Sequence, residues 1–125
     1  MNILLDTHVL LWWLQGSAKM TPAASKIISA SENTVFVSAV SVWELRIKEL
    51  IKKVTLPKNF SEVLEHEQFE ELKIGIAHAH LAGALPLHHR DPFDRMLIAQ
   101  AKIEELLFVS HDPVVAKYGV DHLLV

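Results

Sequence analysis

The sequence predicts an α/β domain built around a mostly parallel sheet. Short apolar runs alternate with longer segments in which apolar residues recur at helical spacing, a pattern typical of β-α-β units. The chain has 125 residues, of which 50% are apolar, and this is enough to enclose a core. We expect a single domain over residues 1–125, because no repeat, linker or low-complexity stretch interrupts the pattern.

Short-range signals define the elements of the first half. Thr21 and Pro22 form an N-cap with proline at the first helical position. The β-branched and aromatic run that begins at Thr34 is typical of a strand, and Ser38 after it caps the next helix. The predicted strands are residues 3–5 and 34–37, and the predicted helices are residues 9–14, 22–31 and 39–54.

The long helix after Ser38 carries an apolar face and a basic block. The apolar face is expected to pack on the sheet and consists of Trp43, Ile47, Leu50, Ile51 and Val54. Residues 46–58 contain five basic residues and one acidic residue. Such blocks are usually solvated helix faces, but this one is also the best local candidate for a surface that contacts phosphate groups.

The second half alternates in the same way. Asp91 before Pro92 and Asp112 before Pro113 each predict a helix start, because aspartate is a preferred N-cap. The helix over residues 91–104 is apolar on most of its circumference, so we expect it to be central. The other predicted elements are helices at residues 61–68 and 76–85 and strands at residues 72–74, 106–109 and 122–125.

Composition excludes several classes of function. The absence of cysteine excludes disulfides, thiolate metal sites and thiol nucleophiles, and it fits a cytoplasmic protein. Asp6 and His8 interrupt the apolar stretch over residues 3–14, so neither a secretory segment nor a membrane span is expected there. The formal charge of −3 predicts no global attraction to nucleic acid. A polyanion would therefore need a local basic patch or a metal ion.

Acidic residues are predicted to converge at one edge of the sheet. Asp6 and Asp112 follow predicted strands, and Glu44 and Asp94 lie early in predicted helices. In a parallel sheet the carboxyl ends of the strands and the adjacent helix N-termini share one edge, where ligands bind. Each acid also has an ordinary structural explanation, since aspartate caps helices and Lys48 can pair with Glu44.

A set of converging carboxylates requires a cation. Two carboxylates about 5 Å apart repel each other by roughly 3 kcal/mol at an effective dielectric constant of about 20, and four of them make several such pairs. Oxygen ligands from carboxylates and water suit Mg²⁺ or Mn²⁺ rather than Zn²⁺. The acids therefore predict a divalent metal site.

Four motifs, spread over nearly the whole chain, carry a resemblance to a known family. They are Leu4-Leu5-Asp6-Thr7-His8-Val9-Leu10-Leu11-Trp12, Val40-Ser41-Val42-Trp43-Glu44, Asp91-Pro92-Phe93-Asp94-Arg95-Met96-Leu97-Ile98-Ala99-Gln100-Ala101 and Val109-Ser110-His111-Asp112. In these motifs and in their order the sequence resembles PIN-domain ribonucleases of the VapC-like toxin type. One such motif is a weak signal, but four in order are a strong one.

The resemblance implies a fold and a site. The fold is a three-layer α/β/α sandwich around a mostly parallel central sheet. The metal ligands that the resemblance implies are Asp6, Glu44, Asp94 and Asp112. Thr7 and Ser110 match positions where such proteins usually carry a small hydroxyl residue that orders the carboxylates or a metal-bound water. Asp91 is an additional acid, and the sequence leaves open whether Asp91 or Asp94 is the inner ligand.

The same resemblance implies an activity and partners. The implied activity is that of a Mg²⁺- or Mn²⁺-dependent endoribonuclease that acts as the toxin of a type II toxin-antitoxin pair. Proteins of this type are commonly dimers and are neutralised by a small antitoxin. The candidate contacts to the RNA backbone are Arg46, Lys48, Lys52, Lys53, Arg90 and Arg95. Arg95 can instead form a structural ion pair with the adjacent Asp94.

Three alternatives remain open at this point. A histidine-based zinc site is disfavoured because His78 and His80 do not share a helix face, while His8 and His111 are expected to touch substrate or to order a loop. A phosphoacceptor signalling domain would show paired acids after its first strand and a lysine after its last strand, which this chain lacks. The main alternative is a PIN-like module that has lost catalysis and only binds RNA or protein.

Overall fold

The computed structural model describes residues 1–125 and contains a five-stranded sheet covered by helices. The strands are β1 (Asn2–Leu5), β2 (Thr34–Ser38), β3 (Glu70–Leu72), β4 (Leu107–Ser110) and β5 (His122–Leu124). The helices are α1 (Thr7–Gln15), α2 (Pro22–Ser29), α3 (Ala39–Leu50), α4 (Phe60–His66), α5 (Ile76–Ala84) and α6 (Pro92–Ile103), with a 3₁₀ helix over Pro113–Tyr118. No helix is long and apolar enough to cross a membrane.

All five strands are parallel, in the order β3-β2-β1-β4-β5. The chain first builds outward from β1 through β2 to β3, and then returns to the other side of β1 to add β4 and β5. The direction of building therefore reverses between β1 and β4, where Leu5 pairs with Val109. The carboxyl ends of two strands at such a switch point frame a crevice in which ligands bind.

The two faces of the sheet are covered by different helices, because successive side chains of a strand point to opposite faces. Leu4 and Phe108 pack in a cluster with residues of α5, α6 and the 3₁₀ helix. Ile3, Leu5 and Val109 pack in a second cluster with residues of α1 and α2. The predicted three-layer α/β/α sandwich is confirmed.

Most of the local signals in the sequence correspond to elements of the structure. The Thr21 side chain caps α2 by accepting a hydrogen bond from the Ala24 amide, and Asp91 and Asp112 cap α6 and the 3₁₀ helix in the same way. The third strand lies at Glu70–Leu72 rather than at residues 72–74, because these three residues pair with the end of β2, from Phe36 opposite Glu70 to Ser38 opposite Leu72. The central position of α6 is confirmed by five consecutive buried residues, 97–101.

The buried face of α3 is not the predicted one. Trp43 is 60% exposed and Leu50 is 82% exposed. The buried residues of this helix are Val40, Ser41, Glu44 and Leu45. The helix is rotated so that its polar positions face the carboxyl edge of the sheet, and it ends at Leu50 because Lys52 adopts a left-handed φ of 61°. The structure thus places a glutamate where a packing pattern predicts apolar residues.

Candidate metal centre

Asp6 lies at the centre of the site, directly after β1. It is 5% exposed, its Oδ1 accepts a 2.7 Å hydrogen bond from the His8 amide, and its Oδ2 accepts one of 2.6 Å from Ser110 Oγ. Burial raises the pKa of Asp6, but His111, the Ser110 hydroxyl and the His8 amide together outweigh burial and hold the pKa below its usual value. Asp6 is therefore a buried carboxylate that stays ionised.

Ser110 joins Asp6 to Asp112. Besides its bond to Asp6, the Ser110 hydroxyl accepts a 3.1 Å hydrogen bond from the Asp112 amide. The predicted role of Ser110 in ordering carboxylates matches this geometry. The other predicted hydroxyl, that of Thr7, donates instead to Ser41 Oγ at 3.0 Å. Thr7 thus fixes α1 against α3 and does not contact a carboxylate directly.

Asp112 is oriented by His89, a residue that the sequence did not single out. His89 Nε2 lies 2.5 Å from Asp112 Oδ2, while Asp112 Oδ1 accepts a 2.9 Å bond from the Val114 amide. Burial tends to raise the pKa of Asp112, but the contact with His89 and the Val114 amide lower it overall. The sequence signal was weak, because nothing in the pair His88-His89 distinguishes one ring from the other.

Tyr118 fixes the tautomer of His89. The Tyr118 hydroxyl accepts a 2.7 Å hydrogen bond from the His89 amide and lies 3.2 Å from His89 Nδ1. Nδ1 is the acceptor that remains for the tyrosine proton, so the ring proton sits on Nε2 and points at Asp112. A buried tyrosine thereby holds the histidine as a hydrogen-bond donor to the carboxylate.

The structure brings Asp94, and not Asp91, to the cleft. Asp91 is exposed and caps α6 through the amides of Phe93 and Asp94. Asp94 is half-buried, and burial, Asp91 and Asp6 raise its pKa to about 7. The cleft has a volume of about 280 Å³ and is lined by Asp6, His8, Asp94, His111, Asp112 and Pro113. A carboxyl whose pKa is raised by other carboxylates marks a functional site.

Glu44 supplies the observation that bears most directly on a metal. It is 4% exposed, and its Oε2 forms a 2.7 Å ion pair with Lys48. Its Oε1 is buried and has no hydrogen-bond partner. A buried carboxylate oxygen without a donor costs about 1–3 kcal/mol or more, which a cation would offset. The acidic oxygen donors therefore fit Mg²⁺ or Mn²⁺.

The four predicted acids share one edge but do not form a single compact group. Ligand atoms within 4.8 Å of one another fall into two sets, Asp6 with His8 and His111, and His89 with Asp94 and Asp112. Glu44 belongs to neither set, although its charge contributes to the raised pKa of Asp94. His8, His89 and His111, which the sequence analysis did not predict to bind metal, thus lie among the acids.

The profile of the PIN domain family matches residues 3–120 of the chain. The chain is a member of the PIN domain family. A search of curated proteins finds no match.

Solved structures share the fold of this PIN domain at low sequence identity. A chain of the VapBC2 complex of Rickettsia felis, bound to a promoter DNA fragment, is 14% identical with a TM-score of 0.75, and the match covers 100% of this chain and 99% of that chain. A chain of the DNA-bound VapBC of Salmonella typhimurium is 17% identical with a TM-score of 0.71, covering 98% and 97%. A chain of FitAcB of Neisseria gonorrhoeae is 19% identical with a TM-score of 0.65, covering 98% and 96%.

Three of the basic residues predicted to contact RNA have protein partners in this PIN domain, and one of them is the exposed Arg46, which pairs with Glu49 at 3.2 Å. Arg95 is 8% exposed, and its guanidinium donates to the backbone carbonyls of Leu85, Pro86 and His89. The predictions that Arg95 contacts RNA or forms an ion pair with Asp94 are therefore wrong. Its buried guanidinium is bonded to backbone carbonyls and stabilises the loop before α6. Lys48 is paired with Glu44. The exposed candidates are Arg46, Lys52, Lys53 and Arg90.

His78 has a structural role at the start of α5. It is 7% exposed, its Nδ1 accepts a 2.9 Å hydrogen bond from the Gly75 amide, and it thereby closes the start of α5. Its Nε2 lies 3.9 Å from Glu104 Oε1. His80 is exposed on the same helix and is outside the site.

Proposed function

We propose that this PIN domain is a Mg²⁺- or Mn²⁺-dependent endoribonuclease and the toxin of a type II toxin-antitoxin pair. The nuclease proposal is carried by the unpartnered, buried Oε1 of Glu44, whose charge acts on Asp94, together with the gathering of Asp6, Asp94 and Asp112 at one cleft. A fold that gathers carboxylates in this way is stabilised by a divalent cation. RNA phosphate is a substrate that such a site can process.

The residues proposed to hold one or two cations are Asp6, Glu44, Asp94 and Asp112. When bound, the cation neutralises charge on the reacting phosphate and makes water a better nucleophile. Ser110 and His89 keep two of the carboxylates in fixed orientations, so little reorganisation is needed at the moment of reaction. Water attacks phosphorus in line, the bond from phosphorus to the 3′ oxygen breaks, and the products carry a 5′-phosphate and a 3′-hydroxyl.

Exposed basic residues are proposed to hold the RNA backbone. The net charge of the chain is −3, and the acids repel phosphate, so attraction must be local. Lys52 and Lys53 lie at the end of α3, whose buried face carries Glu44, and Arg90 directly precedes the cap of α6. We propose them, with Arg46, as the RNA contacts.

The partner proposals rest on fold similarity. The related solved structures are VapBC, toxin-antitoxin and FitAcB complexes, in which a chain of this fold is found with another protein. We therefore propose a cognate antitoxin protein as partner, a homodimer as the assembly of this chain, and the cytoplasm as its location. Expression of the chain without an antitoxin should arrest cell growth, and Asp94→Asn should restore it. Unimpaired growth at full expression of the folded protein would contradict the toxin proposal.

The nuclease proposal is tested by incubating the purified chain with structured RNA in Mg²⁺, Mn²⁺ or EDTA. Cleavage is expected with either metal and not in EDTA. Asp6→Asn and Asp94→Asn should abolish it, while Asp121→Asn, an exposed aspartate away from the cleft, should not. Cleavage that persists in EDTA, or in both site variants, would contradict the proposal. An inactive but metal-binding protein would favour the binding module instead.

A further inference from the structure

His8 and His111 stand at the cleft on the two sides of the Asp6 carboxylate. His8 Nδ1 lies 4.0 Å from Asp6 Oδ1, and His111 Nδ1 lies 3.8 Å from Asp6 Oδ2. These distances are too long for hydrogen bonds, and neither imidazole has another hydrogen-bond partner. Two ring nitrogens without hydrogen-bond partners therefore lie on either side of one carboxylate.

The two rings are held in place by packing. Their centroids are 4.7 Å apart in an edge-to-face arrangement, and the Trp12 ring lies 5.1 Å from that of His111 and 6.1 Å from that of His8. The side chains of His8 and His111 are 45% and 37% exposed, so an ion can reach them from solvent. The Trp12 contact limits ring rotation, which favours a preorganised pair of nitrogen donors.

The spacing of the ligand atoms suits a transition metal. The three donor atoms lie within 4.8 Å of one another, and metal bonds of about 2.0–2.1 Å require separations of about 3.4 Å. Closing this gap takes side-chain movements of up to about 1.4 Å between donor atoms, and the adjoining cleft of about 280 Å³ leaves room for water ligands.

His89 differs from these two histidines although it also lies among acids. Its Nδ1 is engaged by the Tyr118 hydroxyl and its Nε2 by Asp112. Neither ring nitrogen of His89 is free to bind a metal without breaking the Tyr118 or Asp112 contact. Among the histidines at the acids, only His8 and His111 have ring nitrogens without a hydrogen-bond partner.

We propose that Asp6, His8 and His111 form a second metal site that takes a first-row transition-metal dication such as Zn²⁺. Two imidazoles and a carboxylate bind such ions much more tightly than they bind Mg²⁺, which prefers oxygen ligands. Asp6 also belongs to the acid set, so an ion on the histidines withdraws its carboxylate from that set. Zn²⁺ therefore inhibits RNA hydrolysis. This inhibition rests on the proposed nuclease function, whereas the binding of Zn²⁺ does not.

The experiment measures metal binding directly on the full chain without RNA. Zn²⁺ affinity is measured by calorimetry, and Co²⁺ serves as a probe whose visible absorption reports nitrogen ligation. His8→Gln and His111→Gln should each weaken Zn²⁺ binding at least about tenfold and reduce the Co²⁺ bands. His80→Gln, an exposed histidine on α5, is the matched control and should bind as the unaltered protein does. Circular dichroism of each variant confirms folding.

Two further variants separate this site from the neighbouring groups. Asp94→Asn and His89→Gln should lower Zn²⁺ affinity much less than His8→Gln does, even though Asp94→Asn abolishes the proposed RNA cleavage. Absence of Co²⁺ bands in the unaltered protein, or a loss of Zn²⁺ affinity in His89→Gln as large as that in His8→Gln, would overturn the proposal. Zn²⁺ binding that depends on His8 and His111 in a protein that cleaves no RNA would support the site and refute only the nuclease function.

Discussion

Ser110 Oγ donates a 2.6 Å hydrogen bond to Asp6 Oδ2 and so ties together the carboxyl ends of β4 and β1. The same hydroxyl accepts the Asp112 amide at 3.1 Å. One small side chain thus orients two acids that come from different strands. The arrangement explains why the site lies at the switch point of the sheet, where these two strands are neighbours.

Ser110→Ala should weaken both metal binding and the fold. The change removes both hydrogen bonds, so we expect a loss of about 1–2 kcal/mol in the free energy of unfolding and an about tenfold lower Mn²⁺ affinity. Ser41→Ala is the control, because Ser41 is equally buried and accepts a hydrogen bond from Thr7 rather than contacting an acid. Calorimetric titration with Mn²⁺ compares the two variants, and equal affinities would contradict a role for Ser110 in ordering the site.

Asp94 makes the metal-free protein less stable as pH rises. Its pKa is about 7 in the folded state against 3.8 in an unperturbed carboxyl, so between these values the folded state binds more protons than the unfolded state. The stabilising contribution is complete below pH 3.8 and is lost as pH rises through about 7.

Asp94→Asn should therefore stabilise the protein at pH 8 and not at pH 3.5. The gain is about 2 kcal/mol, roughly half of what the full pKa difference would give, because the side chain is partly solvated. Urea unfolding in EDTA at the two pH values measures it. A variant that is less stable than the unaltered protein at pH 8 would show that Asp94 is not under repulsion from its neighbours.

Lys48 acts as the internal counter-charge of Glu44. Lys48→Met should leave the buried carboxylate uncompensated and lower the free energy of unfolding by about 2 kcal/mol in EDTA. Millimolar Mg²⁺ should restore much of this loss, because the cation takes over the role of the ammonium group. Arg46→Met breaks the more exposed pair with Glu49 and should change stability by less than about 0.5 kcal/mol. The same Mg²⁺ response in both variants would contradict a cation at Glu44.

Substitutions of Arg95 and Arg90 should distinguish a structural role from a role in RNA binding. Arg95→Met removes donors from three loop carbonyls and should destabilise the fold by about 3 kcal/mol. Arg90→Met should leave the unfolding midpoint unchanged and weaken binding to RNA. Thermal unfolding and RNA affinity are measured on both variants. If Arg95→Met had normal stability but lost RNA affinity, the result would show that Arg95 contacts RNA.

The sequence predicted the parts of the site that local chemistry determines. Asp6, Asp91 and Asp112 follow strands or loops as helix caps, and these positions can be recognised from spacing alone. The parallel sheet follows from the same alternation of elements, and the two layers of helices were implied by the family resemblance. The fold was therefore predictable to within a few residues at each element boundary.

Other parts of the site depend on contacts between distant residues. His89 reaches Asp112 and Tyr118, which are 23 and 29 residues further along the chain, and no periodic pattern encodes such contacts. The buried face of α3 was mispredicted because Trp43 and Leu50 are exposed, whereas Val40 and Leu45 are buried together with Glu44. A site that needs a buried acid thus overrides the usual amphipathic pattern.

The chemical ends of the cleaved RNA distinguish hydrolysis by water from attack by the 2′-hydroxyl. Cleavage at the acids with a divalent cation predicts 5′-phosphate and 3′-hydroxyl ends, formed only with Mg²⁺ or Mn²⁺ and not by Asp94→Asn. Fragments with 5′-hydroxyl and 2′,3′-cyclic phosphate ends, formed in EDTA, would contradict this and assign the chemistry to His8 and His111 as proton donor and acceptor. Mapping these ends on a single defined RNA is the decisive measurement.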